Sequence, residues 1–440
     1  MAKNRRTGLS LPAPESAPIP NDTEVSQEEL IAAFDELILS ASGWRKIFAA
    51  DRDEESATEE VRPVDILLVG VMALVFERYF RARNADLSTP TIAVATDTRD
   101  TGPRLADAII RVLLSQSVSV RYLFVAAAPE IMAYVGRSES IDGFIYVSAS
   151  HNPRGHNGVK FGFGDGSVLG GEDAEAVRQL FRQVANDGET VRTVRQLLEE
   201  APSLPTVYKE IESNKRDALK TYLDFIRIVV AGEDPENFAS LASGDDLGVV
   251  IDFNGSARCV SVDRDFAAQL GLEVRAVNDT PRAIAHQIVP EGAGLGQCCR
   301  VFFNDTATTE IYTFGYVPDN DGDRGNLVYI DDSAVARPLA AQETFALACV
   351  AELSWLVYTG GLTYSSEGRA DQKVAVVVNG PTSLRLDRIA AAFDATVFRA
   401  EVGEANVVNL ARALRSRGFI VPILGEGSNG GNITHPSTVR

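Results

Sequence analysis

Three loops hold the side chains that could do chemistry. The first reads Ser148-Ala149-Ser150-His151-Asn152-Pro153 and runs on to Asn157-Gly158-Val159-Lys160. A serine following a strand, on a loop rich in Pro and Gly, is exposed and fixed, but its hydroxyl is a weak nucleophile without a base or a metal. Lys160 can give or take a proton if its pKa is lowered. Plainer readings are an Asx-type turn and an ordinary surface lysine.

The second loop reads Pro318-Asp319-Asn320-Asp321-Gly322-Asp323-Arg324-Gly325-Asn326. Three aspartates at alternate positions on a tight loop can converge on a hard cation, and without one they repel. An EF-hand also begins D-x-D-x-D. It needs Gly where Arg324 sits and a bidentate Glu where Ile330 sits, so that reading fails. Arg324 beside the carboxylates suits a site that an anion also approaches. A solvated acidic turn is the other reading, and the spacing favours metal. The third loop, Gly425-Glu426-Gly427-Ser428-Asn429-Gly430-Gly431-Asn432, offers Glu and Ser for hydroxyl recognition but is unspecific alone. No Walker A string occurs, so P-loop nucleotide hydrolysis has no support.

These loops need elements to hold them. Helical periodicity covers 29–38 and 66–82. A strand at 91–96 leads through Asp97-Thr98-Arg99-Asp100 into a helix at 103–116, and strands follow at 120–125 and 143–147. A polar helical stretch, 171–196, precedes Ala201-Pro202-Ser203-Leu204-Pro205, a natural boundary. The alternation restarts with strands at 247–253, 273–277 and 326–330. A third unit has a helix at 342–358 and strands at 373–378 and 420–424. The expected organisation is a disordered tail (1–28) and three α/β units (29–200, 201–332, 333–440).

The composition agrees. The 440 residues correspond to about three domains. The hydrophobic share of 45% can fill real cores. The net charge of −19 excludes a nucleic-acid binder and a protein held on an anionic membrane, because both need a basic footprint. Cys259, Cys298, Cys299 and Cys349 form neither a disulfide framework nor a zinc motif, which suits a reducing cytoplasm. No apolar run approaches the ~18 residues of a membrane span, and the N-terminus lacks the apolar stretch of a signal peptide. Residues 304–313 read NDTATTEIYT, the in-frame translation of a widely used sequencing adapter. They are expected to replace natural residues and are assigned no function.

In this order the three loops resemble those of the α-D-phosphohexomutase superfamily, which includes phosphoglucomutase and phosphomannomutase. Ser42-Gly43-Trp44-Arg45 is similar to the family's T-S-G-W-R, Ala95-Thr96-Asp97-Thr98-Arg99 to its G-x-D-T-R, Ala128-Pro129 to its T-P turn, and Val402-Gly403-Glu404 to its V-G-x loop. The resemblance spans roughly 29–432. It implies consecutive α/β/α domains with mixed sheets around a central cleft, each giving one loop. It also implies a fourth, smaller domain with an R-x-S-G-T-x-P phosphate loop. No such string is present, so the chain reads as a fragment ending inside the third domain and is expected to be poorly active by itself. Ser148 stands where Thr is common, and the Asn-Gly-Gly continuation of the third loop does not identify the sugar.

The resemblance also assigns roles. Ser150 carries a phosphoryl group. Asp319, Asp321 and Asp323, with a phosphoserine oxygen, hold Mg²⁺. Lys160 and Arg45 manage the proton of the attacking hydroxyl. Arg324 steadies phosphoryl oxygens, and Glu426 and Ser428, with the Gly403 loop, bind the sugar. His151 reads either as an acid/base or, the favoured reading, as a loop histidine holding its own turn, and Asn152 is a supporting residue. The implied reaction exchanges hexose 1-phosphate and hexose 6-phosphate through a 1,6-bisphosphate, with a small-molecule sugar phosphate as partner and the oligomeric state left open. The rivals are a non-catalytic sugar-phosphate binder and a metal-dependent phosphatase using Ser150.

Overall fold

The computed structural model describes residues 2–40, 43–232, 235–241, 247–303, 312–427 and 432–433. Three separate sheets carry the α/β architecture. The first is six-stranded and mixed, in the order Ile38–Ser40, Gly43–Ile47, His156–Phe163, Gly143–Val147, Thr91–Thr96, Ser119–Val125. Thr91–Thr96 is parallel to both of its neighbours, and the pairs on the Gly43–Ile47 side are antiparallel. Helix Pro63–Arg83 lies in the middle of one face. It is apolar nearly all round and is therefore buried among other helices rather than on the surface. Gly102–Ser115, Gly171–Ala185 and Thr190–Glu200 complete that layer, and Ala128–Gly136 and Ile211–Ala231 cover the opposite face.

The second sheet runs Glu273–Val277, Gly248–Asp252, Tyr312–Pro318, Gly325–Ile330, Ala336–Pro338. The third runs Thr396–Ala400, Val374–Asn379, Ile420–Gly425, Asn432–Ile433. Val374–Asn379 is buried along its whole length and parallel to both neighbours, which is why it reads as an unbroken apolar run.

Several expectations are corrected here. Residues 2–26 lie against the first unit instead of forming a free tail. Leu11 and Ile19 are buried, and the buried guanidinium of Arg111 donates to the carbonyls of Pro14 and Ser16. The first helix, Gln27–Asp35, opens on a capping box between Ser26 and Glu29. The 171–196 stretch is two helices, parted at Asn186-Asp187-Gly188. Helix Ile211–Ala231 packs on the first unit, and the second sheet continues to Pro338, so both expected boundaries fall too early. Of the NDTATTEIYT string, 304–311 lie outside the described residues. Tyr312 and Thr313 open a strand parallel to Gly248–Asp252, and the Tyr312 hydroxyl donates to Glu273 at 2.6 Å. No helix among the described residues is long and apolar enough to cross a membrane.

Candidate active site

Each of the three chemical loops is the tip of an antiparallel hairpin. The serine loop joins Gly143–Val147 to His156–Phe163, the aspartate loop joins Tyr312–Pro318 to Gly325–Ile330, and the Glu426 loop joins Ile420–Gly425 to Asn432–Ile433. Lys160 is therefore a strand residue, opposite Tyr146, and Arg45 stands one strand further out, opposite Gly158. The register puts both cations on the ladder that supports the serine.

The first two hairpin tips meet. Ser150 Oγ donates to Asp319 Oδ2 at 3.2 Å and also lies 3.3 Å from His151 Nδ1. Lys160 Nζ donates to Asp321 at 2.8 Å and to Asp323 at 3.2 Å. Ser148 Oγ lies 2.8 Å from Asp97 Oδ2 and 3.1 Å from Asp321 Oδ2, and it accepts the Ser150 N–H at 2.8 Å. Backbone joins the units as well, since the Ala128 N–H donates to the Asp321 carbonyl at 2.8 Å and Thr98 Oγ1 to Asn320 Oδ1 at 2.8 Å. Ser150 is 2% exposed, so the expected exposed serine is instead enclosed between the two units. Its φ of 53° is left-handed, a conformation that surrounding contacts must hold.

Arg99 supplies that hold. Its fully buried guanidinium donates to the carbonyls of Ser150, Asn152, Pro153, Arg154 and His156, and its Nε to Asp97 at 3.1 Å. One planar fork thus gathers the whole turn from below. Asn152 adds its backbone N–H to the Ala149 carbonyl at 3.1 Å. Arg258 does the same for the aspartate loop, donating from Nε and Nη2 to the Gly322 carbonyl at 3.0 and 2.7 Å. Gly322 has φ 71°, and a Cβ there would strike the Arg258 side chain. Neither arginine was singled out from the sequence. Arg99 lies in a string that was read as supporting, and Arg258 follows a strand with no motif around it.

Ligand oxygens of Asp319, Asp321 and Asp323 lie within 4.8 Å of one another. Asp321 Oδ1 is buried and meets no hydrogen-bond donor among the described residues, an acceptor that a cation would satisfy. The donor set is all carboxylate oxygen, and it fits a hard divalent ion. The electrostatics agree. Burial, then Asp321 and Asp323, raise the Asp319 carboxyl well above its ordinary range. Burial also works against ionisation of Asp321, but Lys160 outweighs it and holds the carboxylate below its ordinary range.

Burial acts to lower the Lys160 pKa, but Asp321 and Asp323 prevail and raise it above the ordinary value. His151 moves the other way. Burial, then Arg324 and Arg45, lower it to about 4, leaving a neutral ring at physiological pH. Burial likewise depresses Arg45, opposed by Asp321 and Asp323. Arg324 lies at the rim of this cluster, its backbone N–H donating to Asp319 at 3.2 Å.

The third unit presents Glu426, whose Oε1 accepts the Gly403 N–H at 2.7 Å and Asn379 Nδ2 at 2.9 Å. The second carboxylate oxygen is not engaged by these two donors. Glu404, next to Gly403, is held above its ordinary pKa by burial and then by Asp323. Ser428 and Ser42 lie outside the described residues.

Comparison with known proteins follows this geometry. The model of the phosphoglucomutase/phosphomannomutase alpha/beta/alpha domain I matches residues 38–187, which include Arg45, Arg99, Ser150 and Lys160. Phosphoglucosamine mutase of Lactococcus lactis subsp. cremoris (strain MG1363) is 28% identical over 259 residues, 57% of this chain and 52% of that protein. The enzyme of the same name from Lactiplantibacillus plantarum is 40% identical over 94 residues, 21% of each chain. The alignments thus span about half the length, or less, of the curated relatives matched. Among solved structures, a phosphoglucomutase/phosphomannomutase family protein from Burkholderia thailandensis superposes with a TM-score of 0.60 at 16% identity, covering 91% of this chain and 73% of that one. Parafusin (phosphoglucomutase) from Paramecium gives 0.55 at 15% identity, covering 89% and 69%. At these identities the likeness is one of fold.

Proposed function

The chain belongs to the α-D-phosphohexomutase superfamily, and on that premise we propose that it interconverts hexose 1-phosphate and hexose 6-phosphate, with Ser150 carrying the phosphoryl group between the two hydroxyls. One observation carries the reading. Ser150 Oγ meets the aspartate loop, at Asp319, across 169 residues of sequence. That is the arrangement a metal-assisted phosphoryl transfer needs, since such transfer depends on positioning and charge neutralisation.

Asp319, Asp321 and Asp323, with one oxygen of phosphorylated Ser150, would hold Mg²⁺, which when bound withdraws charge from the phosphoryl group and makes the serine oxygen a better leaving group. The chain's own residues do the rest. Lys160, kept charged by Asp321 and Asp323, stabilises negative charge and can release a proton to an oxygen that becomes basic. The unphosphorylated Ser150 hydroxyl faces two acceptors, Asp319 Oδ2 and the neutral His151 Nδ1, either of which takes its proton when the phosphoryl group returns. Arg45 and Arg324 supply positive charge for phosphoryl oxygens. Glu426, oriented by Asn379 and Gly403, binds sugar hydroxyls through its other oxygen. The 1,6-bisphosphate serves as intermediate and activator. The free cysteines support a reducing, cytoplasmic setting.

The test is to incubate the protein with labelled glucose 1,6-bisphosphate and Mg²⁺ and map the phosphopeptide. Label on Ser150, absent from Ser150→Ala, is expected; label on Ser148 with Ser150 unmodified overturns the assignment. Product analysis on the 1-phosphates of glucose, mannose and glucosamine separates the rivals. Isomerised sugar phosphate marks a mutase, free phosphate a phosphatase, and neither a binder.

A further inference from the structure

Ser148 takes no part in the chemistry above, yet it bonds to Asp97, to Asp321 and to the Ser150 amide. It is fully buried. Its oxygen accepts the Ser150 N–H at 2.8 Å. Its single proton faces two carboxylate oxygens, Asp97 Oδ2 at 2.8 Å and Asp321 Oδ2 at 3.1 Å. Asp97 is the partner of Arg99, whose guanidinium also holds the Ser150 carbonyl at 2.7 Å. Asp321 is the member of the aspartate loop that leaves a buried oxygen, Oδ1, without a donor. One hydroxyl therefore stands between the clamp on the serine loop and the carboxylate in the other unit.

We propose that Ser148 is a positioning residue that, together with Lys160 on the same Asp321 oxygen, orients Asp321 toward a divalent cation and fixes the Ser150 amide to the same point, so that one hydroxyl links metal site and nucleophile. The inference rests on the reading of the aspartate loop as the metal site and Ser150 as the phosphoryl carrier. Its physical basis is general: a partner that fixes the second oxygen of a metal-binding carboxylate decides where the first one points, and losing it costs about 10–100-fold in metal affinity. Ser148→Ala also leaves the Ser150 N–H buried without an acceptor.

The experiment uses the full chain and two readouts, Mn²⁺ affinity by calorimetry and the single-turnover rate of Ser150 labelling by glucose 1,6-bisphosphate. Ser148→Ala is expected to weaken Mn²⁺ binding by about 10–100-fold and to slow labelling by a similar factor. Ser148→Cys, which keeps the shape but bonds weakly, follows it and stands in if the alanine variant does not fold. Ser148→Thr, which keeps the hydroxyl, recovers most of both. Ser261→Ala removes a hydroxyl bond to Glu130 away from the site, 3.0 Å in length, and leaves Mn²⁺ affinity unchanged. Wild-type Mn²⁺ affinity and labelling in both Ser148→Ala and Ser148→Cys overturn the inference while the mutase reading stands. If the wild-type protein neither binds Mn²⁺ nor takes label, the mutase reading falls first and this inference with it.

Discussion

At the residue scale, the site works by placing charges whose partners sit in another unit. Asp321 is central to that arrangement, bonded to Lys160 and Ser148 through one oxygen and bare at the other. Asp321→Asn keeps the shape and removes the charge. It should weaken Mn²⁺ binding by more than about a hundredfold and abolish Ser150 labelling, with the circular dichroism spectrum unchanged. Unaltered Mn²⁺ calorimetry would remove the metal role from this loop. Arg99 is the second such residue. A lysine there offers three donors in place of the five of a guanidinium, so several of the carbonyls that Arg99 now satisfies would be left buried and unmet. Arg99→Lys should lower unfolding stability by about 3 kcal/mol in urea titrations, although the charge is conserved. A shift within error would mean that the turn holds itself.

At the scale of elements, three hairpins each project a tip, and what differs is the helix behind each. In the third unit that helix is Ala341–Tyr358, apolar on almost every face. Phe345, Cys349, Leu353 and Leu356 enter the core. Glu352 lies at the edge of this packing, and burial raises its carboxyl from an ordinary 4.5 to about 7. Below 4.5 both folded and unfolded chains hold the proton there, and between 4.5 and about 7 only the folded chain does. Unfolding then releases a proton, so this group's contribution to stability falls as pH rises through that window and stays lost above it. Glu352→Gln should therefore be more stable than the parent by about 1–3 kcal/mol near pH 8 and equal to it near pH 4, in urea titrations at both values. Equal stability at both would show that the carboxyl reaches water.

Across the whole molecule, the first two units are locked through buried polar groups as well as through the site. Lys215 Nζ lies 2.5 Å from Glu130 Oε1, both buried, and Ser261 of the second unit donates to the other Glu130 oxygen. Breaking such a pair leaves a naked buried charge, whereas replacing both members with apolar groups is often harmless. Lys215→Met should cost about 3–5 kcal/mol, and the double variant Glu130→Leu/Lys215→Met should recover most of it, as read from urea midpoints. A single variant as stable as the parent would mean that water reaches Glu130. Because Glu130 touches both units, the loss should appear in one shared transition and not in one unit alone.

Composition and periodicity alone determined the α/β class, the alternation of strands and helices, and the three loops that carry the chemistry. Thr91–Thr96, Gly143–Val147 and Val374–Asn379 were legible because buried parallel strands are apolar without interruption. The serine and aspartate loops were legible because tight turns with fixed side chains tolerate few residue types. What only the tertiary structure decided concerns partners distant in the chain. Nothing near Lys160 in the chain announces its charged partner, Asp321, 161 residues away. Arg99 and Ser148 looked like turn residues until the carbonyls and carboxylates around them were in place. The N-terminal segment reads as disordered because its composition is that of a solvated chain, yet Arg111 bonds its backbone and Leu11 and Ile19 are buried. Local sequence encodes dihedral preference and the apolar period, both properties of neighbours. The pKa of a buried group and the partner of a buried donor depend on what the fold brings within a few ångströms, and that is not written locally.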